Sequence, residues 1–169
     1  GLIGGGLISA KHIEGSKNID NGELAALCDV NPDRQALAED LGIPFFSDYR
    51  EMIDQAGLEG VIDGTPNQFH AEVGMYCAGK GIHVLTEKPI TSTLEEGKRL
   101  VEAVEESGIS LLVGHHRRYY PLIRRAREIV QGGELGQLVG ISMLWALMKP
   151  DVYFEVAWRS QKGGGPILI

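Results

Sequence analysis

Short apolar runs alternate with helix-patterned segments through the first two thirds of this chain of 169 residues, and that alternation leaves few folds open. The runs occupy residues 1–3, 24–30, 44–46, 58–64, 82–86 and 109–114. Between them, Asn31-Pro32-Asp33 opens a helix with proline in its first turn, Leu37 and Leu41 supply an i, i+4 stripe, and Gly42 ends it. A short helix over 47–55 carries Tyr49, Met52 and Ile53, and Thr65-Pro66 caps another that runs to about Lys80. Ser92-Thr93-Leu94-Glu95 has the spacing of a capping box, ahead of a helix with Leu94, Leu100, Val101 and Val104 on one face. Strands alternating with helices predict a doubly wound parallel sheet, and the unbroken apolar run 109–114 suits a strand covered on both faces.

The turn after the first run is Gly4-Gly5-Gly6, followed by Leu7, Ile8 and Ser9. Glycines at 4 and 6 permit a tight turn and close backbone approach to a pyrophosphate at the next helix's N-terminus, while Ser9 is small enough for helix–strand packing. A glycine-rich stretch alone is as readily an ordinary loop. Asp29 closes the second run, where an acid can accept hydrogen bonds from adenosine ribose hydroxyls and repel a 2′-phosphate. The pair points to NAD, with NADP less favoured.

A net charge of −7 argues against nucleic acid or an anionic membrane as a partner, and no apolar run approaches the roughly 18 residues of a membrane span. Cys28 and Cys77, far apart in sequence, read as reduced buried thiols of a cytoplasmic protein. After Gly114 the rhythm changes: residues 121–132 read as a basic helix with Arg124, Arg125 and Arg127, and 137–148 as a long strand. This predicts a dinucleotide-binding domain over 1–115 and an incomplete substrate and oligomerisation domain over 116–169. With no initiator methionine and an apolar run at its end, the chain reads as a piece truncated at both ends.

Glu87-Lys88-Pro89 directly follows the fifth run, and Thr65-Pro66-Asn67-Gln68-Phe69-His70 holds the equivalent place after the fourth. Ligands of doubly wound folds lie outside the carboxyl ends of the strands, so both stretches are expected at the cofactor crevice. Pro89 biases Lys88 away from helical backbone, and a lysine in a partly desolvated crevice suits acid–base work. His70 is read either at this crevice or as a surface residue on the first turn of its helix. His115 and His116 are adjacent and cannot share one face, so no metal site is expected there.

Taken in order, the glycine turn, Asp29, Thr65-Pro66-Asn67 with His70, Glu87-Lys88-Pro89, Arg117-Arg118-Tyr119-Tyr120-Pro121, Trp158-Arg159 and the glycines 163–165 resemble the Gfo/Idh/MocA oxidoreductases over nearly the whole chain. The inositol 2-dehydrogenase-like subgroup is the nearest fit. The resemblance implies a Rossmann domain followed by an α+β domain whose mostly antiparallel sheet covers the nicotinamide end and mediates homo-oligomers. It implies hydride transfer between NAD and a secondary hydroxyl of a sugar, inositol or related polyol. Carried over by residue, Gly4, Gly6, Leu7 and Ile8 would line the pyrophosphate and Asp29 the adenosine ribose. Thr65, Pro66, Asn67 and His70 would border the nicotinamide half, with Glu87 at its ribose. Lys88 would touch cofactor and substrate and support deprotonation of the reacting hydroxyl. Arg117 and Arg159 are neighbours of cofactor or substrate, and Trp158 is a substrate wall or a packing residue. The family's acid–base aspartate would fall near Ile169, and its histidine beyond. The alternative is a non-catalytic NAD- or sugar-sensing regulator; Lys88 favours the enzyme. A short-chain dehydrogenase is disfavoured on the expectation that the chain has no Tyr-x-x-x-Lys pair.

Overall fold

The structure is a computed structural model that describes residues 1–144 and 146–156, and these fall into two units, one over Gly1–Gly114 and one from His115 onward. In the first unit, β1 (Leu2–Ile3), β2 (Leu27–Cys28), β3 (Phe45–Phe46), β4 (Gly60–Asp63), β5 (His83–Thr86) and β6 (Leu111–Val113) pair in parallel, in the order β3-β2-β1-β4-β5-β6. The order reverses between β1 and β4, so the crevice of a doubly wound sheet lies outside their carboxyl ends. Each ladder is shorter than its apolar run. Residues before β2, such as Leu24, pack against the core without pairing as strand.

Helices α1 (Ser9–Ser16), α2 (Gln35–Leu41), α3 (Tyr49–Gln55), α4 (His70–Lys80) and α5 (Leu94–Ser107) fill the crossovers. The pleat sends alternate strand residues to opposite faces. Leu2 and Leu27 pack with Ile13 and Ala38 on one face, while Ile3 and Cys28 pack with Met52, Ile53, Val73 and Cys77 on the other. Each fully buried Leu, Ile or Val there contributes about 1.5–3 kcal/mol. Helices α4 and α5 meet at Gly74, where a Cβ would stand 2.6 Å from Leu100 Cδ1.

The cap of α5 falls one residue later than expected. Thr93 accepts from the Glu96 N–H while Glu96 accepts from Thr93, so the box is Thr93/Glu96 rather than Ser92/Glu95. In α5 Leu100 faces inward, with Ala103 and Val104 against the core, and Leu94 and Val101 are exposed. The expectation that β6 is covered on both faces also fails among the described residues. Leu112 is 62% exposed, beside a groove of about 280 Å³ lined by Ile19, Leu24, Ile62 and Leu85.

In the second unit a 3₁₀ turn, His116–Tyr119, leads to α6 (Pro121–Gln131), which opens with proline where a missing N–H costs nothing. The strand expected over 137–148 is absent among the described residues, and with it the antiparallel sheet. A strand needs a partner for its backbone groups, and no described segment of this unit offers one. Among the described residues no helix is long and apolar enough to cross a membrane.

Candidate active site

The turn leaving β1 passes through Gly4 at φ +94°, a region that disfavours side chains. A Cβ there would also lie 2.8 Å from the Gly64 carbonyl oxygen, so the turn after β1 presses directly on the loop after β4. Beyond it Gly6 and Leu7 are exposed, with open space above Gly6. Helix α1 then begins with no side-chain cap and no acid in its first turn, which leaves its end electrostatically open to an anion. Asp29 stands beside this turn: its Oδ2 accepts from the Gly5 N–H at 2.6 Å and its Oδ1 from the Asn31 N–H at 2.8 Å. The stem of Arg34 lies against Gly5 as well. An uncapped helix end for pyrophosphate, next to a fixed carboxylate for ribose hydroxyls, fits a dinucleotide.

The loops after β4 and β5 complete the edge. Asp63, the last residue of β4, is fully buried, and its Oδ1 accepts from the Thr65 N–H at 3.1 Å and hydroxyl at 2.7 Å. The Glu87 N–H donates to the Asp63 carbonyl at 2.9 Å, aligning the two loops. The Glu87 carboxylate, expected at the nicotinamide ribose, is turned toward α1, where Oε1 lies 3.1 Å from His12 Nε2, and Oε2 accepts from the Lys88 N–H at 3.3 Å. The His12 hydrogen bond holds the Glu87 carboxyl below its usual range, against burial, which pulls upward. Lys88 is exposed at the carboxyl end of β5, followed by a cis peptide to Pro89. The first unit therefore does not itself supply the desolvated crevice expected around this lysine.

His70 is not the surface residue of its second expected placement. It is fully buried, with Nδ1 2.8 Å from the Pro89 carbonyl and Nε2 2.9 Å from the Thr65 carbonyl. The 3₁₀ turn Asn67–Phe69 precedes α4 and sets His70 on the inward face, behind the loops rather than on their surface.

Gly4, Gly6, Leu7, Ile8, Asp29, Thr65, Pro66, Asn67, Glu87 and Lys88 thus all belong to the carboxyl edge of β1, β2, β4 and β5. Arg117 lies in the second unit, exposed, and Trp158 and Arg159 lie outside the described residues. The sequence reading missed His12 and Asp63. The inward periodicity of Ser9, Ile13 and Ser16 on α1 was the available signal for the first. Burial pushes both thiols, Cys28 and Cys77, up to about 12, so neither is a nucleophile. A Tyr-x-x-x-Lys spacing does occur, at Tyr76 and Lys80, toward the end of α4 remote from the glycine turn. Asp54 engages both, at 3.0 Å from the Tyr76 hydroxyl and 2.6 Å from Lys80 Nζ, in a surface cluster.

A family model described as an oxidoreductase family with an NAD-binding Rossmann fold matches residues 1–115. D-xylose 1-dehydrogenase (NADP(+)) 2 of Haloferax volcanii is 29% identical over 99% of this chain and 52% of that protein. Myo-inositol 2-dehydrogenase of Thermotoga maritima is 31% identical over 81% of this chain and 42% of that protein. The crystal structure of the WlbA dehydrogenase of Bordetella pertussis, in complex with NADH and UDP-GlcNAcA, superposes with a TM-score of 0.78 at 32% identity, covering 80% of this chain and 40% of that one. The chain spans about half the length of the curated relatives it matches.

Proposed function

The chain belongs to the Gfo/Idh/MocA oxidoreductases, and from that premise we propose that it serves an NAD-dependent dehydrogenase acting on a secondary hydroxyl of a sugar, inositol or related polyol. One observation carries the proposal: the glycine turn, the Thr65 loop and Lys88 converge at the switch point of the sheet, tied by the Gly4–Gly64 contact and the Glu87–Asp63 hydrogen bond. Bound NAD supplies the hydride acceptor in oxidation, or the donor in the reverse direction, at its nicotinamide ring. The uncapped end of α1 holds the pyrophosphate and Asp29 the adenosine ribose, which favours NAD over NADP. Thr65, Pro66 and Asn67 border the nicotinamide half.

Lys88, as the neutral amine, accepts the proton of the substrate hydroxyl at Nζ while the carbinol C–H bond gives up its hydride. In reduction the ammonium returns that proton to the new alkoxide oxygen. We assign the second unit to substrate contact and homo-oligomer formation, with Arg117, Trp158 and Arg159 as its site residues, and place the protein in the cytoplasm. Support for these assignments is the order of motifs along the chain.

The test is turnover of NAD with myo-inositol and D-xylose by the full chain, with and without Lys88→Ala. The substitution should lower turnover by about 10²–10⁴-fold, the range of a positioned acid–base group, while NAD binding holds. Lys88→Arg should not restore turnover, because a guanidinium keeps its proton. Full activity in Lys88→Ala removes this lysine from the reaction.

A further inference from the structure

We propose that His70 is a positioning residue for Lys88: an imidazolium buried behind the site, whose two N–H groups tie the loop after β4 to the loop after β5. The proposal deepens the catalytic reading of Lys88 and rests on it.

His70 Nδ1 faces the Pro89 carbonyl at 2.8 Å and Nε2 faces the Thr65 carbonyl at 2.9 Å. Carbonyl oxygens only accept. A neutral ring carries a single N–H, so it would satisfy one contact and set a nitrogen lone pair against the other oxygen. With the side chain fully buried, that mismatch has a high cost. A ring with hydrogen on both nitrogens satisfies both contacts.

A buried cation needs an opposite charge and complete hydrogen bonding. The buried carboxylate joined to the ring through Thr65 is Asp63. It is itself fully buried, and its Oδ1 takes both the N–H and the hydroxyl of Thr65, the residue whose carbonyl receives His70 Nε2–H. Thr65 therefore links carboxylate to imidazolium through its own backbone.

The consequence falls on Lys88. The carbonyl of the next residue, Pro89, is held by His70, and the N–H of Lys88 is held by Glu87, which His12 fixes in turn. The backbone is thus anchored on both sides of the lysine, and the Thr65 loop moves only with it.

The direct test is ¹⁵N NMR of the ring nitrogens in the full chain at neutral pH, with His70 assigned by the signals lost in His70→Gln. Two protonated-type ring nitrogens are expected, and one unprotonated-type nitrogen overturns the proposal. The second test is kinetic, with NAD and myo-inositol or D-xylose. An amide at position 70 reaches one carbonyl only, so His70→Gln should lower kcat by on the order of 10²-fold, the effect of misplacing a reacting group by about 1 Å. The dissociation constant for NAD and the KM should change far less. Unchanged kcat per NAD-binding molecule, with only a lower melting temperature, would make His70 purely structural and overturn the proposal. Full activity in Lys88→Ala defeats the functional reading instead, and leaves the ring protonation result standing.

Discussion

The body of the sheet and its carboxyl edge are held by different physics. In the body, Leu2, Leu27, Met52 and Leu100 are buried without residue, and their cohesion is apolar and spread over many contacts. At the edge the buried groups are Asp63, Thr86 and His70, and cohesion is directional, from a handful of hydrogen bonds and one glycine contact. Apolar packing tolerates small displacements, whereas a hydrogen-bonded edge is either aligned or broken. A fold can therefore lose core volume and keep its site, or keep its core and lose the site.

Substitutions separate the two. The largest stability effect is expected in the body: Leu100→Ala removes a fully buried side chain and should cost about 2–5 kcal/mol, read as a lower melting temperature, with the NAD dissociation constant of the folded protein unchanged. A parallel loss of NAD affinity would show that body and edge are not separable. Gly4→Ala comes next. It forces a side chain into a positive φ and against the Gly64 carbonyl, costing about 1–3 kcal/mol, and it should weaken NAD binding because the turn must shift. Unaltered NAD titration of Gly4→Ala would remove the turn from the binding site.

Asp29→Asn is subtler. The amide oxygen can accept from only one of the Gly5 and Asn31 N–H groups, so stability should fall by about 1 kcal/mol while the ratio of NADP to NAD dissociation constants falls by on the order of tenfold. A native preference for NADP would defeat the assignment of Asp29. The smallest effect belongs to Leu112→Ala, a side chain left exposed among the described residues, within about 0.5 kcal/mol in denaturant unfolding.

The same division explains what could be read from the sequence. Periodicity reports burial, so the parallel sheet and its helical layers were legible from Leu2, Leu27 and Leu37 onward, and Asp29 was legible because it closes an apolar run, whereas the strand order was not. The cap of α5 was misplaced by one residue because Ser92/Glu95 and Thr93/Glu96 both have box spacing, and spacing alone does not decide between them. The protein contacts of His70 and Glu87 were not legible. Their partners, the Thr65 and Pro89 carbonyls and His12, are set by tertiary contact, to which neither periodicity nor motif spacing refers. The strand expected over 137–148 is absent among the described residues for a related reason, since an apolar pattern states that a segment can pair but not with what.

The contact between Gly74 and Leu100 has an evolutionary consequence. The two positions share one parcel of space: the volume absent at 74 is the volume a leucine methyl occupies at 100. Selection therefore does not see them as independent sites. Alanine at 74 requires the Leu100 side chain to shift or shrink, so related chains should more often carry a glycine with a large partner or a larger residue with a small one than the mixed pairs.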